Sequence, residues 1–464
     1  MSTTRRQALA RTGAVGAAVA FSGALSELFA GTAAAQATGG SSGYGPLIPD
    51  PKGLLDLPKG FRYKVLSREG DPMSSGEGKV PSNHDGMAAF AARRSGHGRN
   101  HGSVWLVRNH ENRMDGRVPV PTVKGLTYDP AAKGGCTVLQ LDRHNDVLAE
   151  RVGIAGTSTN CAGGPSLWGT WLTCEETEFK AGEQGHTKDH GYIFEVGFDK
   201  DRPTSVEPLT AMGRFQHEAV AFDPHNGAVY ETEDAFEKPF GLFYRFLPKK
   251  PKGGYGSLHA GGRLEAMRVP GVRDLSAVTE TGTAFEGIEW VKVPDPLAKE
   301  TPIRFQDFGP KGITHAQKLE GCYWGGRSVY FVSSYAKSAE GSAADHYGQV
   351  WRYEPHANRL TLVVVFGPDT DLQLPGEEPD NICLAPSGGL MVCEDGAGAQ
   401  HVFGLTRKGK VYPVARGAQN IGTPEEPEWG EFAGVTFSPD HRTMYVNCYT
   451  PGTTFAITGP WHHA

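Results

Sequence analysis

One short pattern, apolar or aromatic residues closing on polar ones, recurs six times along this chain: WLVRN (105–109), WLTCE (171–175), VYETE (229–233), YFVSS (330–334), LMVCE (390–394) and MYVNC (444–448). A repeat of this length is one strand of a supersecondary unit that cannot bury its apolar face alone. Each copy follows a segment with a polar start, namely HDGMAAF (84–90), NCAGGPS (160–166), HEAVAFDP (217–224), LEGCYWGG (319–326), DNICLAPSGG (380–389) and EFAGVTFSPD (431–440). Each also precedes a third strand: CTVLQLD, YIFEVGF, GLFYRFL, QVWRYEP, HVFGLTR and TFAIT. Abundant glycine and proline, with few stretches of 3.6-residue period, agree with many short strands.

A fourth strand is expected in the first five units: VLAERVG, VEPLTAM, RLEAMRV, LTLVVVF and KVYPVAR. The sixth runs out of chain after TFAITGPW, and FRYKVLSRE from Phe61 is spare at the other end. The expectation is an all-β, six-bladed β-propeller of four-stranded blades, closed by an N-terminal strand that completes the last blade. Uneven spacing places a large insertion at about 275–318. A seventh, degenerate blade there is the alternative.

First strands line a propeller's channel. Their polar starts, Asp85, Cys161, Glu218, Glu320 and Asp380, are therefore expected at one mouth. Second strands run antiparallel and end beside them, which adds Asn109, Glu175, Glu233 and Glu394, with Glu111, Glu176 and Asp395 just beyond. So many carboxylates cannot stay ionised together without counter-charge. Metal ions are the sharpest answer. An oxygen-rich set suits calcium, magnesium or manganese, and the Cys161 thiolate favours a transition metal such as iron at part of the site.

Plainer roles stand beside these. Any single acid also fits a solvated strand end. Cys161 also fits a disulfide with Cys174 or a small apolar packing role. Cys174, Cys393, Cys136, Cys322, Cys383 and Cys448 read as buried residues. Trp105, Trp171, Tyr230, Tyr330 and Tyr445 read as inter-blade core. Glu286 and Glu289, in FEGIEW, are alternative extra ligands from the insertion.

The chain opens MSTTRRQALARTG, with paired Arg5 and Arg6 ahead of a weakly apolar run and an Ala35-Gln36-Ala37 cleavage site. This is an export signal over 1–37, leaving a single domain over 38–464. The paired arginines resemble a twin-arginine signal, which implies the twin-arginine export machinery as a partner and a periplasmic, cell-surface or secreted protein. The run is too short and too rich in Gly and Ala for a membrane span. The formal net charge is −6, and loss of residues 1–37, with Arg5, Arg6, Arg11 and Glu27, makes it more negative. No basic cluster points to nucleic acid. His217-Glu218 begins like a zincin motif, but Ala221 stands where the second histidine belongs. No G-x-S-x-G elbow and no P-loop appears.

RNHEN (108–112), STNCAGG (158–164), WGTWLTCEE (168–176), GRFQHEA (213–219), LEGCYW (319–324), EPDNI (378–382), VCEDG (392–396) and EFAGVTFSPD, in this order, resemble the PhoX-type alkaline phosphatase family. The resemblance covers most of the chain beyond the signal. It implies iron and calcium at the channel mouth and hydrolysis of a small phosphomonoester outside the cytoplasm, by a monomer. It makes Cys161, Glu175, Glu218, Glu320 and Glu394 the leading ligands, with Glu111 joining them and Asp380 and Asn381 near calcium. Asn109 and a basic residue would hold phosphate. Lys318 stands where the family commonly has an arginine, and lysine binds phosphate as a point charge without the bidentate fork. Two other functions fit a propeller with acids in its channel: a calcium-dependent lactonase-like hydrolase, and a non-catalytic metal-binding propeller.

Overall fold

The computed structural model describes residues 43–92, 103–367, 371 and 373–463; the export segment 1–37 lies outside the described residues. The fold is a six-bladed β-propeller. Blade one is His84–Ala91, Val104–His110, Gly134–Leu141 and Val147–Thr157, all antiparallel neighbours in that order. The same meander gives blade three (His217–Phe222 to Gly262–Arg268), blade four (Leu319–Gly325 to Arg359–Phe366) and blade five (Pro379–Leu384 to Val411–Gly417). Blade six holds Phe432–Phe437, Thr443–Cys448 and Thr453–Thr458, and Arg62–Arg68 supplies its fourth strand by pairing antiparallel with Thr453–Thr458. The ring is therefore closed by the N-terminal strand. The first strands of neighbouring blades touch all the way round, so they form the channel wall.

Blade two differs from expectation. It has three strands, Asn160–Pro165, Trp171–Glu175 and Ile193–Val196. VEPLTAM ends instead in a short 3-10 turn, Thr210–Met212. Pro208 lacks an N–H for a ladder, and only Ser205 N and Leu209 N donate to the edge, at the carbonyls of Glu195 and Ile193.

The insertion at 275–318 is not a seventh blade. Its strand Ala284–Glu286 extends the outer edge of blade four and Glu289–Lys292 that of blade three. Glu286 and Glu289 thus sit on outer rims. Glu289 pairs with Arg268 there and does not serve the mouth.

Alternation along the strands buries one aromatic face between blades. Tyr230, Phe243, Phe331, Trp351 and Tyr353 share one cluster that joins blades three and four. Trp171, Tyr230 and Tyr445 are buried as expected, while Trp105 and Tyr330 are only partly buried against neighbouring clusters. All seven cysteines are free thiols, so no Cys161–Cys174 bridge forms.

Candidate metal centre at the channel mouth

Every first strand carries a β-bulge near its start. In blade one His84 pairs with His110 and Met87 with Arg108, which leaves Asp85 and Gly86 opposite Asn109. The same irregularity falls at Cys161-Ala162, Glu218-Ala219, Glu320-Gly321, Asp380-Asn381 and Gly434-Val435. A bulge re-aims a side chain that strict alternation would send elsewhere. Here the first bulge residue is Asp, Cys, Glu, Glu or Asp in five blades. The small second residue lets adjacent blades close. A Cβ on Gly86 would lie 2.5 Å from the Ala162 Cα, and one on Gly321 would lie 2.5 Å from the Asp380 carbonyl oxygen.

A second position comes from the residue one past each second strand. The backbone N–H of Glu111, Glu176, Asp234 and Asp395 donates to the carbonyl of Asn83, Thr159, Gln216 and Glu378, at 2.9–3.1 Å. Ser334 does the same to Lys318 at 2.8 Å. Four residues on the accepting side, Asn83, Thr159, Lys318 and Glu378, have φ of 55°, 54°, 49° and 37°. A β-branched threonine there is a true outlier. Strain at a repeated position of this kind costs about 1–3 kcal/mol per residue and accompanies functional sites.

These two positions assemble two groups. Glu111 Oε, Cys161 Sγ and Glu176 Oε come within 4.8 Å of one another, as do the carboxylates of Glu218, Glu320 and Asp380. Cys161 Sγ lies 2.9 Å from Glu176 Oε2. Burial, then Glu176 and Glu218, push the Cys161 thiol well up. Burial, then Glu320 and Asp380, do the same to the Glu218 carboxyl. Asp85 is raised by burial and by Glu111, and Glu431 by burial and by Asp395. These shifts show acids crowded with too little positive charge among them. Lys318 Nζ is one counter-charge, 2.5 Å from Glu320 Oε1 and 3.4 Å from Asp395 Oδ2. Arg113 is the other, 3.1 Å from Glu111 Oε1 with half its side chain exposed. Tyr449 also hydrogen-bonds Glu111, and its hydroxyl accepts from Asn83 Nδ2 at 2.8 Å.

The donors fit metal ions. One group is two carboxylates and a thiol, a set for a transition metal; the other is three carboxylates, a set for a hard divalent cation.

Three expected residues are placed elsewhere. Glu175 belongs to neither group. Its Oε1 accepts from Ser158 N at 2.8 Å and contacts His190 Nδ1 at 2.6 Å, and its Oε2 accepts from Gly191 N and Tyr192 N. Glu394 is held the same way, by Gly376 N, Glu377 N, His401 N and the His401 ring. Asn109 is fully buried. Its Nδ2 caps the Cys161 and Ala162 carbonyls, and its Oδ1 accepts from Trp171 Nε1, Thr173 Oγ1 and the Cys136 thiol. It has nothing left for a phosphate, and its work is to fix the Cys161 bulge. Asn381 neighbours the second group: its Nδ2 donates to Asp380 Oδ1 at 2.9 Å and its Oδ1 accepts from Gly434 N. Glu176, Arg113, Tyr449 and Glu431 belong to the mouth, and of these only Glu176 stood out in the sequence.

A closed propeller whose bulged inner strands gather acids and a thiol at one mouth defines a class, a β-propeller with a candidate metal centre. The particular family follows from the sequence: residues 42–151 and 145–452 match alkaline phosphatase PhoX, and the chain belongs to that family. No curated protein matches it. Among solved structures it is similar to a gluconolactonase from Xanthomonas campestris, at 12% identity and TM-score 0.44 over 90% of this chain and 99% of that one. It is also similar to virginiamycin B lyase from Staphylococcus aureus (13%, 0.37, 86% and 99%). A third is the PQQ domain of pyranose dehydrogenase from Coprinopsis cinerea (10%, 0.38, 88% and 98%). At these values none of the three bears on the chemistry of the site. No helix among the described residues is long and apolar enough to cross a membrane.

Proposed function

We propose that the protein is an exported, metal-dependent hydrolase of phosphate monoesters. Membership of the alkaline phosphatase PhoX family supports the phosphatase class. The observation that carries the metal reading is the pair of adjoining groups, Glu111–Cys161–Glu176 and Glu218–Glu320–Asp380. Iron is assigned to the thiol-containing group and calcium to the all-carboxylate one. When bound, such ions neutralise the acids, polarise phosphoryl oxygens and lower the pKa of water.

The chain's own residues do the rest. Lys318 Nζ, buried against Glu320, and Arg113, open to solvent, bring the fixed positive charge that an incoming dianion meets. Tyr449 and Arg113 orient Glu111. Asn109 and Asn381 hold the Cys161 and Asp380 bulges in place, so the donors are set before substrate arrives. Export by a twin-arginine-type signal completes the proposal: Arg5→Lys with Arg6→Lys should leave the protein inside the cell, and unimpaired export would remove that part.

The deciding experiment is elemental analysis of the exported protein together with an assay on an aryl phosphomonoester. Iron with calcium, and phosphate release that chelation abolishes, would support the proposal. Calcium alone with no phosphate release would overturn it.

A further inference from the structure

We propose that Phe179 and Phe305 form an aromatic lip at one side of the channel mouth that stacks the alcohol portion of the substrate when that portion is a flat ring. The proposal deepens the phosphatase reading and rests on it for the reaction, though not for the binding.

Among the described residues seven large hydrophobic side chains stand exposed, and the phenylalanines among them are Phe179 (38%), Phe236 (37%) and Phe305 (53%). The segments that carry Phe179 and Phe305 meet, as their neighbours Glu178 and Arg304 pair. Phe179 follows Glu176 by three residues, and Phe236 follows Asp234 by two, so both begin loops that leave the mouth ends of second strands in blades two and three. Phe305 comes from the insertion, but its neighbour Arg304 reaches the same place, with Nη1 2.8 Å from Glu178 Oε2 and 3.1 Å from Glu233 Oε1. The Glu178–Arg304 pair thus joins the two chain segments that carry Phe179 and Phe305.

The sector is rigidly built. Arg214 Nη1 donates to the Glu178 carbonyl at 2.7 Å and Nη2 to the Ala298 carbonyl at 2.9 Å, and Lys180 Nζ donates to the Lys299 carbonyl at 2.8 Å. These bonds clasp the loop after Glu176 to the insertion. The Phe179 and Phe305 rings each also have a supporting neighbour. Phe179 stacks on His186 at 5.4 Å and 22°, and His186 Nε2 meets Ser158 Oγ at 2.9 Å. The Arg304 guanidinium sits 5.1 Å from the Phe305 ring centroid. Rings held in this way lose little freedom on binding, so stacking is gained at low entropic cost. The acids and cations of the cluster suit the phosphate; the lip offers exposed ring faces to a substrate's organic part. A flat aryl or nucleobase ring gains from it, and an acyclic polyol does not.

The test compares a nucleoside 5′-monophosphate with glycerol phosphate. Both release primary alkyl alcohols, so leaving-group chemistry is matched. In the metal-loaded protein, Phe179→Ala with Phe305→Ala should lower kcat/KM for the nucleotide roughly five- to tenfold more than for glycerol phosphate, through KM. Phe305→Trp should restore the preference. An aryl phosphate and a long-chain alkyl phosphate run beside them tell ring stacking from general apolar contact. Binding of free adenosine, followed by calorimetry, gives a readout independent of hydrolysis and should weaken by a similar factor in the double variant. Equal losses on every phosphate ester, or adenosine binding that the double variant leaves intact, would overturn the lip. Absence of hydrolysis in the native protein, with adenosine binding that depends on the two rings, would overturn the phosphatase and leave the lip standing.

Discussion

Two rows of acidic side chains lie one residue apart in sequence and differ in almost everything else. Glu175, Glu233 and Glu394 end their second strands and are buried. Backbone N–H groups hold all three, with His190 on Glu175, Tyr244 and Arg304 on Glu233, and His401 on Glu394. Glu176 and Asp395 come next after Glu175 and Glu394, Glu111 holds the same place after His110, and they face the channel mouth, Glu111 and Glu176 with Cys161 and Asp395 with Glu431. Side chains alternate from one side of a strand to the other. One residue therefore separates an acid that ties a blade together from an acid that joins a candidate metal group. Identical residue types at positions 175 and 176 carry unlike work, and only the direction each points tells them apart.

The sharpest attempt to break this contrast is to exchange the two roles by single substitutions. Glu176→Gln or Cys161→Ser should lose bound iron and at least about a hundredfold in phosphate release, with a smaller loss of thermal stability than Glu175→Gln causes. Metal analysis and melting curves on one preparation check both halves. Glu175→Gln should do the reverse. Its amide cannot accept from Gly191 N, Tyr192 N, Ser158 N and His190 together, so about 3 kcal/mol of stability should go while the metal content per folded molecule holds. Iron loss in Glu175→Gln that exceeds the loss of folded protein would erase the distinction.

A smaller effect is expected at Arg304. Arg304→Ala leaves Glu233 without its cation and unfastens the insertion, at a cost on the order of 2–3 kcal/mol. Proteolytic cleavage near residues 295–305 should quicken well before global unfolding does. The smallest effect is a pH slope. Burial pushes the Glu233 carboxyl up to about 7 even with Arg304 at hand, against about 4.3 unfolded. The fold therefore binds that proton more tightly than the unfolded chain does. Its contribution to stability is present below about pH 4 and is lost as pH rises towards 7. Relative to Glu233→Gln, the native protein should lose on the order of 1–2 kcal/mol between pH 5 and 8, measured by denaturant titration at each pH.

The propeller was legible because each unit repeats aromatic and polar residues at strand spacing, and because FRYKVLSRE matches the strand the sixth unit lacks. The bulge residues were legible too: Asp85, Cys161, Glu218, Glu320 and Asp380 stand at the polar start of each first strand. The second row slipped by one. WLVRN and WLTCE align naturally on their tryptophans, which sets Asn109 against Glu175. The backbone pairs His84 with His110 and Asn160 with Glu175, so His110 is the counterpart of Glu175, and Glu111 that of Glu176. Trp105 pairs with Phe90 and Trp171 with Pro165, one residue apart in register from the strand starts, so the two tryptophans are not equivalent positions. Arg113 and Tyr449 were missed because each stands beyond its repeat, and position in the ring, not residue type, brings them to Glu111. Blade two's missing strand turns on Pro208, which the apolar pattern of VEPLTAM outweighed.

Arg62–Arg68 gives its strand to a blade whose other members, Phe432–Phe437, Thr443–Cys448 and Thr453–Thr458, lie far along the sequence from it. The two ends of the domain are therefore one seam, which Glu69 N, donating to the Gly452 carbonyl at 2.7 Å, and the Tyr44 hydroxyl, donating to the Trp461 carbonyl at 2.8 Å, also fasten. The donors at the mouth come from five different blades, on both sides of that seam. Cations held there would act as rivets on a hoop: the first group would tie blades one and two, the second blades three, four and five. A hoop with its rivets drawn can spring at the seam without unfolding any blade. Loss of metal should then show first as exchange of the Arg62–Arg68 amides, long before the strands of blades three and four let go.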